Sequence, residues 1–104
     1  MEVSPQESVP LVSVIVAVCA DDRPGLFRDA LDGILAQTLT ELECIVAADG
    51  PLTPELEAVI AGFVQRDSRV RRTGLPVRSG PAAVRNSAVR RACGKYTAIL
   101  DADD

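Results

Sequence analysis

Apolar residues follow two rhythms along this chain: unbroken runs, and positions that recur every third or fourth residue. Residues 11–18, LVSVIVAV, form a nearly continuous β-branched run. Such a run predicts a strand covered on both faces, as in a parallel sheet. DDRPG follows, with Pro24 placed for the first turn of a helix, and Leu26, Ala30, Leu31, Ile34 and Leu35 recur at helical spacing. Residues 42–48, LECIVAA, predict a second strand closed by Asp49-Gly50-Pro51. Thr53-Pro54 is an N-cap and first-turn pair, and Leu56, Val59, Ile60, Phe63 and Val64 then fall at i, i+3, i+4, i+7 and i+8. Residues 70–73 predict a short third strand. Gly80 and Pro81 open a helix over 82–92 with Gly94 as its C-terminal cap, and residues 96–100, YTAIL, predict a fourth strand.

The order β-α-β-α-β-α-β implies an α/β fold, a three-layer Rossmann-like parallel sheet of about four strands with helices on both faces. Residues 1–10, MEVSPQESVP, read as a flexible leader, and residues 11–104 as one domain. Sheets of this kind bind ligands beyond the carboxyl ends of their strands, at a topological switch point. Acids gather at those ends: Asp21 and Asp22 after the first strand, Asp49 after the second, Asp101 and Asp103 after the fourth.

Composition narrows the chemistry. With 47% hydrophobic and 25% charged residues among 104, the chain is globular rather than disordered. Aromatics at 3% and a net charge of −4 argue against nucleic acid as a partner. Histidine, the commonest general base, does not occur. Three cysteines without a CxxC pattern read as reduced thiols and predict a cytoplasmic setting. No apolar run approaches a membrane span, and the first residues lack the basic start of a signal peptide.

Three stretches can carry chemistry. Asp101 and Asp103 alternate, so in an extended chain both point the same way. They are either a solvated acidic turn or oxygen ligands for Mg²⁺ or Mn²⁺, which often needs only one or two carboxylates beside substrate phosphates. Asp49-Gly50 is either a plain turn or a carboxylate aimed at a nucleotide. In SGPAAVRNSAV, residues 79–89, Arg85 is either solvated or a planar donor to a base or phosphate. Arg90 and Arg91, at the end of the same helix, suit its dipole.

Taken together, VSVIVAV (12–18), ALDGILAQTLTELECIVAADG (30–50), SGPAAVRNSAV (79–89) and GKYTAILDADD (94–104) resemble the N-terminal half of a family 2 glycosyltransferase of GT-A fold. The resemblance covers residues 11–104. It implies a nucleotide-diphosphate sugar donor, a divalent metal and an inverting transfer to an acceptor that is a saccharide, lipid or protein. Asp49 then matches the acid that contacts the nucleobase, and Arg85 the arginine of an A-R-N segment near the base. Asp101 is the first acid of a DxD motif, beside ribose and diphosphate, and Asp103 the second, the metal ligand. Ala17 and Val18 lie in the strand whose end floors the nucleotide pocket. The resemblance places the catalytic base and the acceptor part beyond Asp104. It predicts a truncated sheet, no turnover by this chain alone, and a location in the cytoplasm or at the inner face of the membrane, with attachment through further segments left open.

Ala48, Pro51 and Ala88 stand where the family usually carries an acid, a serine and a glycine. They keep a second reading alive, a non-catalytic nucleotide-binding module of the same fold. A nucleotidyltransferase is a third, but residues 19–25 offer only Arg23 and Gly25 where that class has a loop rich in glycine and basic residues.

Overall fold

The computed structural model describes residues 10–36 and 41–102. The leader, apart from Pro10, and the metal-ligand position Asp103 lie outside the described residues. Seven elements alternate: β1 (Val12–Val18), α1 (Pro24–Leu35), β2 (Leu42–Asp49), α2 (Pro54–Arg66), β3 (Val70–Leu75), α3 (Pro81–Val89) and β4 (Tyr96–Asp101). The strands form one sheet in the order β3-β2-β1-β4, and each neighbouring pair is parallel. The predicted α/β architecture is therefore present.

Helices lie on both faces. Phe27, Leu31 and Ile34 of α1 and Leu56, Ile60 and Phe63 of α2 pack on Val14, Val16, Cys44 and Val46. On the other face Val84 and Ala88 of α3 meet Ile15, Ile45 and Ala47. The central strands point side chains both ways into apolar layers, which is why they read as unbroken runs. α2 starts as expected. Thr53 Oγ1 accepts a hydrogen bond from the Leu56 N–H at 3.3 Å, and Pro54 takes the first turn, where its missing N–H costs nothing. Burial pushes the Cys44 thiol up to about 12, so it is an inert packing group.

Some expectations change. Phe27, absent from the predicted stripe of α1, is fully buried, whereas Leu26 and Val64 are exposed. β4, an apolar run like the central strands, lies at one edge of the described sheet and is exposed: Tyr96 is 65% exposed and Ile99 45%. α3 ends at Val89, short of residue 92.

Gly94 does not cap α3 with a left-handed turn; the only positive φ values among the described residues belong to Gly50 and Gly80. Its requirement is a close approach. A Cβ there would lie 2.6 Å from Ser13 N and 2.8 Å from Val12 C. The approach lets the Gly94 N–H donate to Ser13 Oγ at 2.7 Å. Ser13 in turn donates to Glu43 Oε2 at 2.6 Å, and the same carboxylate accepts from the Cys93 N–H at 2.6 Å and from Arg71 at 2.6 Å. This network sits near the amino ends of β1 and β2 and fixes the turn from α3 into β4. Burial works to raise the Glu43 pKa, but the bonds from Ser13, Cys93 and Arg71 outweigh it and hold the carboxyl below its ordinary value.

Candidate nucleotide site at the carboxyl ends of the strands

The chain leaves β1 toward β2 and β3 on one side and returns to β4 on the other, so the switch point lies between β1 and β4. A cavity of ≈ 400 Å³ opens there. Its walls include Ala17 and Val18 from β1, Asp49 from β2, Arg85 from α3 and Asp101 from β4. Every predicted site residue that is described lines this one cavity.

Asp49 is 5% exposed and holds the entry to α3. Its Oδ1 accepts from the Ser79 N–H at 2.7 Å and its Oδ2 from the Gly80 N–H at 3.1 Å. A carboxylate has about four acceptor positions, so each oxygen keeps one for a ligand. Gly50 makes the same junction tight: a Cβ there would meet Arg78 N at 2.6 Å, and its φ of 79° is one that L side chains rarely adopt.

Arg85 forms an ion pair with Asp101 Oδ1 across the cavity. Its Nε is buried and has no hydrogen-bond partner among the described residues. A buried unpaired guanidinium N–H is costly, and a donor left so beside a cavity is poised for an acceptor that enters it. The described positive partner of Asp101 is Arg85.

Periodicity had not singled out Arg78. It lines the same cavity from the loop between β3 and α3. Its Nη1 lies 3.0 Å from Asp21 Oδ2 and its Nη2 3.3 Å from Cys19 Sγ. The β1 loop is itself closed by Asp22 Oδ2, which accepts from the Cys19 N–H at 2.8 Å. The hydrogen bond from Arg78 to the Asp21 carboxylate raises the guanidinium pKa, so it is charged at any physiological pH. The only sequence signal for it was a basic residue directly before the Ser79-Gly80 helix start.

The donor set is one of hard oxygens. Asp101 keeps its second carboxylate oxygen clear of hydrogen bonds among the described residues. No group of three or more metal-ligating side chains gathers among them. A free carboxylate oxygen such as that of Asp101 is the kind of ligand a hard divalent ion takes beside substrate phosphates and water. A larger hollow of ≈ 500 Å³ lies between α1 and the β1–β4 pair, walled by apolar groups such as Val14, Ile34 and Leu100. Asp29 and Asp101 border it as well.

A polar cavity at the switch point of an open parallel sheet places the chain in the class of doubly wound α/β domains. The sequence profile of Glycosyl transferase family 2 matches residues 13–104, and the chain belongs to that family. It is 37% identical over 95 residues to an uncharacterized glycosyltransferase of Methanocaldococcus jannaschii, covering 91% of this chain and 32% of that protein. It is 33% identical over 97 residues to the uncharacterized glycosyltransferase EpsJ of Bacillus subtilis, covering 92% of this chain and 27% of the relative. The chain thus spans about a third of the length of these relatives. Among solved structures it resembles the mannosyltransferase PcManGT from Pyrobaculum calidifontis, in complex with GDP-Man and Mn²⁺. The TM-score is 0.79 and the identity 26%, over 92% of this chain and 28% of that one. It shares its fold with S. aureus TarS at a TM-score of 0.76 and 23% identity, covering 90% of this chain and 28% of that one.

Proposed function

We infer that residues 11–104 form the donor-binding part of a glycosyltransferase that moves a sugar from a nucleotide diphosphate to an acceptor, with a divalent metal and with inversion. The observation that carries this reading is the cavity at the switch point, where Asp49, Arg85 and Asp101 converge from three elements. Its resemblance to a mannosyltransferase in complex with GDP-Man and Mn²⁺ supports the choice of ligand.

Asp49 accepts a hydrogen bond from the nucleobase through its remaining lone pairs. Ala17 and Val18 floor the pocket. Arg85 serves the nucleotide through its unpartnered Nε while its Nη2 holds Asp101, and Asp101 stands beside ribose and diphosphate. Asp103 supplies the metal ligand. When bound, Mg²⁺ or Mn²⁺ is a Lewis acid that stabilises charge on the departing diphosphate. The protein's own share is to fix that diphosphate and to set the Arg85 guanidinium beside Asp101. The base that deprotonates the acceptor lies outside these residues, as the resemblance to the family implies. The part that binds the acceptor is likewise assigned to residues other than 11–104. The three free cysteines fit a cytoplasmic location, including the inner face of the membrane.

Calorimetry with UDP or GDP, with Mn²⁺ and then with EDTA, tests this reading. Binding that depends on metal in the wild type and loses that dependence in Asp103→Ala is expected. Equal metal-dependent affinity in both rejects Asp103. The chain alone, given nucleotide-sugars and acceptors, should transfer nothing; efficient transfer would overturn the placement of the base outside it.

A further inference from the structure

We propose that Arg85 is a resident cation that holds Asp101 in the free protein and gives it up to a divalent metal when a nucleotide diphosphate arrives, so that Arg85 couples the binding of metal to that of nucleotide. The inference rests on the nucleotide reading above and goes beyond it to the linkage between the two ligands.

The hold on Asp101 differs in kind from that on its neighbours. Three described acids line the cavity: Asp22, Asp49 and Asp101. Asp22 accepts from the Cys19 N–H, and Asp49 from the N–H groups of Ser79 and Gly80. Those donors belong to the backbone and cannot leave unless a loop moves. Asp101 accepts from the Arg85 side chain instead. Buried Val84 and Ala88 fix α3 on the sheet, whereas the Arg85 side chain is part-exposed. A long side chain can change rotamer while its helix stays in place.

Arg85 is also incompletely satisfied where it rests. Its Nε is buried and has no partner among the described residues. A guanidinium presents a planar fork of donors that suits two oxygens of one anion. Asp101 engages Nη2 through Oδ1 alone. The resting pair uses part of the fork, and a diphosphate, with several oxygens, offers Arg85 more than Asp101 does.

Electrostatics supplies the coupling. In the free protein a divalent ion at the open oxygen of Asp101 would face the guanidinium across a single carboxylate. Like charges that close repel, so each cation weakens the hold of the other. A diphosphate brings negative charge enough for both. Arg85 gains phosphate oxygens and releases Asp101 to the metal. Metal and nucleotide then favour each other's binding, and linkage makes the effect equal in both directions.

Mn²⁺ titration of the 104-residue chain without nucleotide, followed by the paramagnetic resonance of free Mn²⁺, tests the first half. Arg85→Ala and Arg85→Gln should bind Mn²⁺ at least about fivefold more tightly than the wild type, and Arg85→Lys, which keeps the cation, should not. Calorimetry with GDP, in EDTA and in saturating Mn²⁺, tests the second half. Mn²⁺ should tighten GDP binding at least about fivefold in the wild type, and by clearly less in Arg85→Ala and Arg85→Gln. If the two neutral variants bind Mn²⁺ no more tightly than the wild type, or keep the full effect of Mn²⁺ on GDP, the proposal is overturned while the nucleotide reading stands. If the wild type binds no GDP even in Mn²⁺, the nucleotide reading itself fails and this inference with it.

Discussion

The two ends of the sheet use similar residues to opposite purposes. At the amino end, Glu43 is buried and accepts from Ser13, the Cys93 N–H and Arg71, while Ser13 accepts from the Gly94 N–H. The polar groups of that network satisfy one another. At the carboxyl end, Asp49 is just as buried, but it faces a cavity of ≈ 400 Å³, and Arg85 Nε has no partner among the described residues. Closed networks specify a fold, and open ones leave bonding capacity for a ligand. The position of a carboxylate along its strand therefore matters more than its burial in deciding whether it serves structure or binding.

Substitutions at the amino end should damage stability far more than those at the carboxyl end. Glu43→Ala strips the acceptor from three donors and should cost about 3 kcal/mol or more in urea denaturation. A cost below about 1 kcal/mol would erase the contrast. Gly94→Ala drives a Cβ into the Ser13 and Val12 backbone and should cost about 2 kcal/mol, with a shift of the β1–β4 pairing visible in amide spectra. Asp49→Ala releases two loop N–H groups and should cost about 1–2 kcal/mol, while weakening nucleotide binding at least about tenfold. Arg85→Ala should change stability by no more than about 1 kcal/mol, because it removes a part-exposed pair together with an unsatisfied donor. Its effect should appear in nucleotide affinity; a large loss of stability with unchanged affinity would put Arg85 with the structural groups.

The smallest effect concerns pH. The Glu43 carboxyl is held below its ordinary value of 4.5. Its contribution is complete above that value and is lost as pH falls through the depressed folded value. The stability difference between wild type and Glu43→Gln should therefore be flat at neutral pH and shrink below about pH 4.5. A difference that stays constant into strong acid would show that the Glu43 charge is not what the network uses.

Much of this was legible in the chain. The unbroken run of β1 and the stripe of α2 reflect burial on defined faces, and periodicity reports burial directly. The convergence of Asp49, Arg85 and Asp101 followed from strand ends and from family resemblance. Edge position was not legible. YTAIL is as apolar as the central strands, yet exposure depends on strand order, and among the described residues β4 has a neighbour on one side only. Gly94 looked like a cap because sequence cannot show that Ser13, 81 residues away, crowds it. Arg78 and Glu43 were invisible for the same reason: their roles depend on partners distant in sequence.

Nitrogen-15 amide spectra of the chain, titrated with GDP and Mg²⁺, test the central claim most directly. Shift changes are expected at Cys19, Asp49, Arg78, Ser79, Gly80, Arg85 and Asp101, with Ser13, Glu43, Cys93 and Gly94 unmoved. Changes centred on the amino-end network, or none anywhere at saturating nucleotide, would contradict the account.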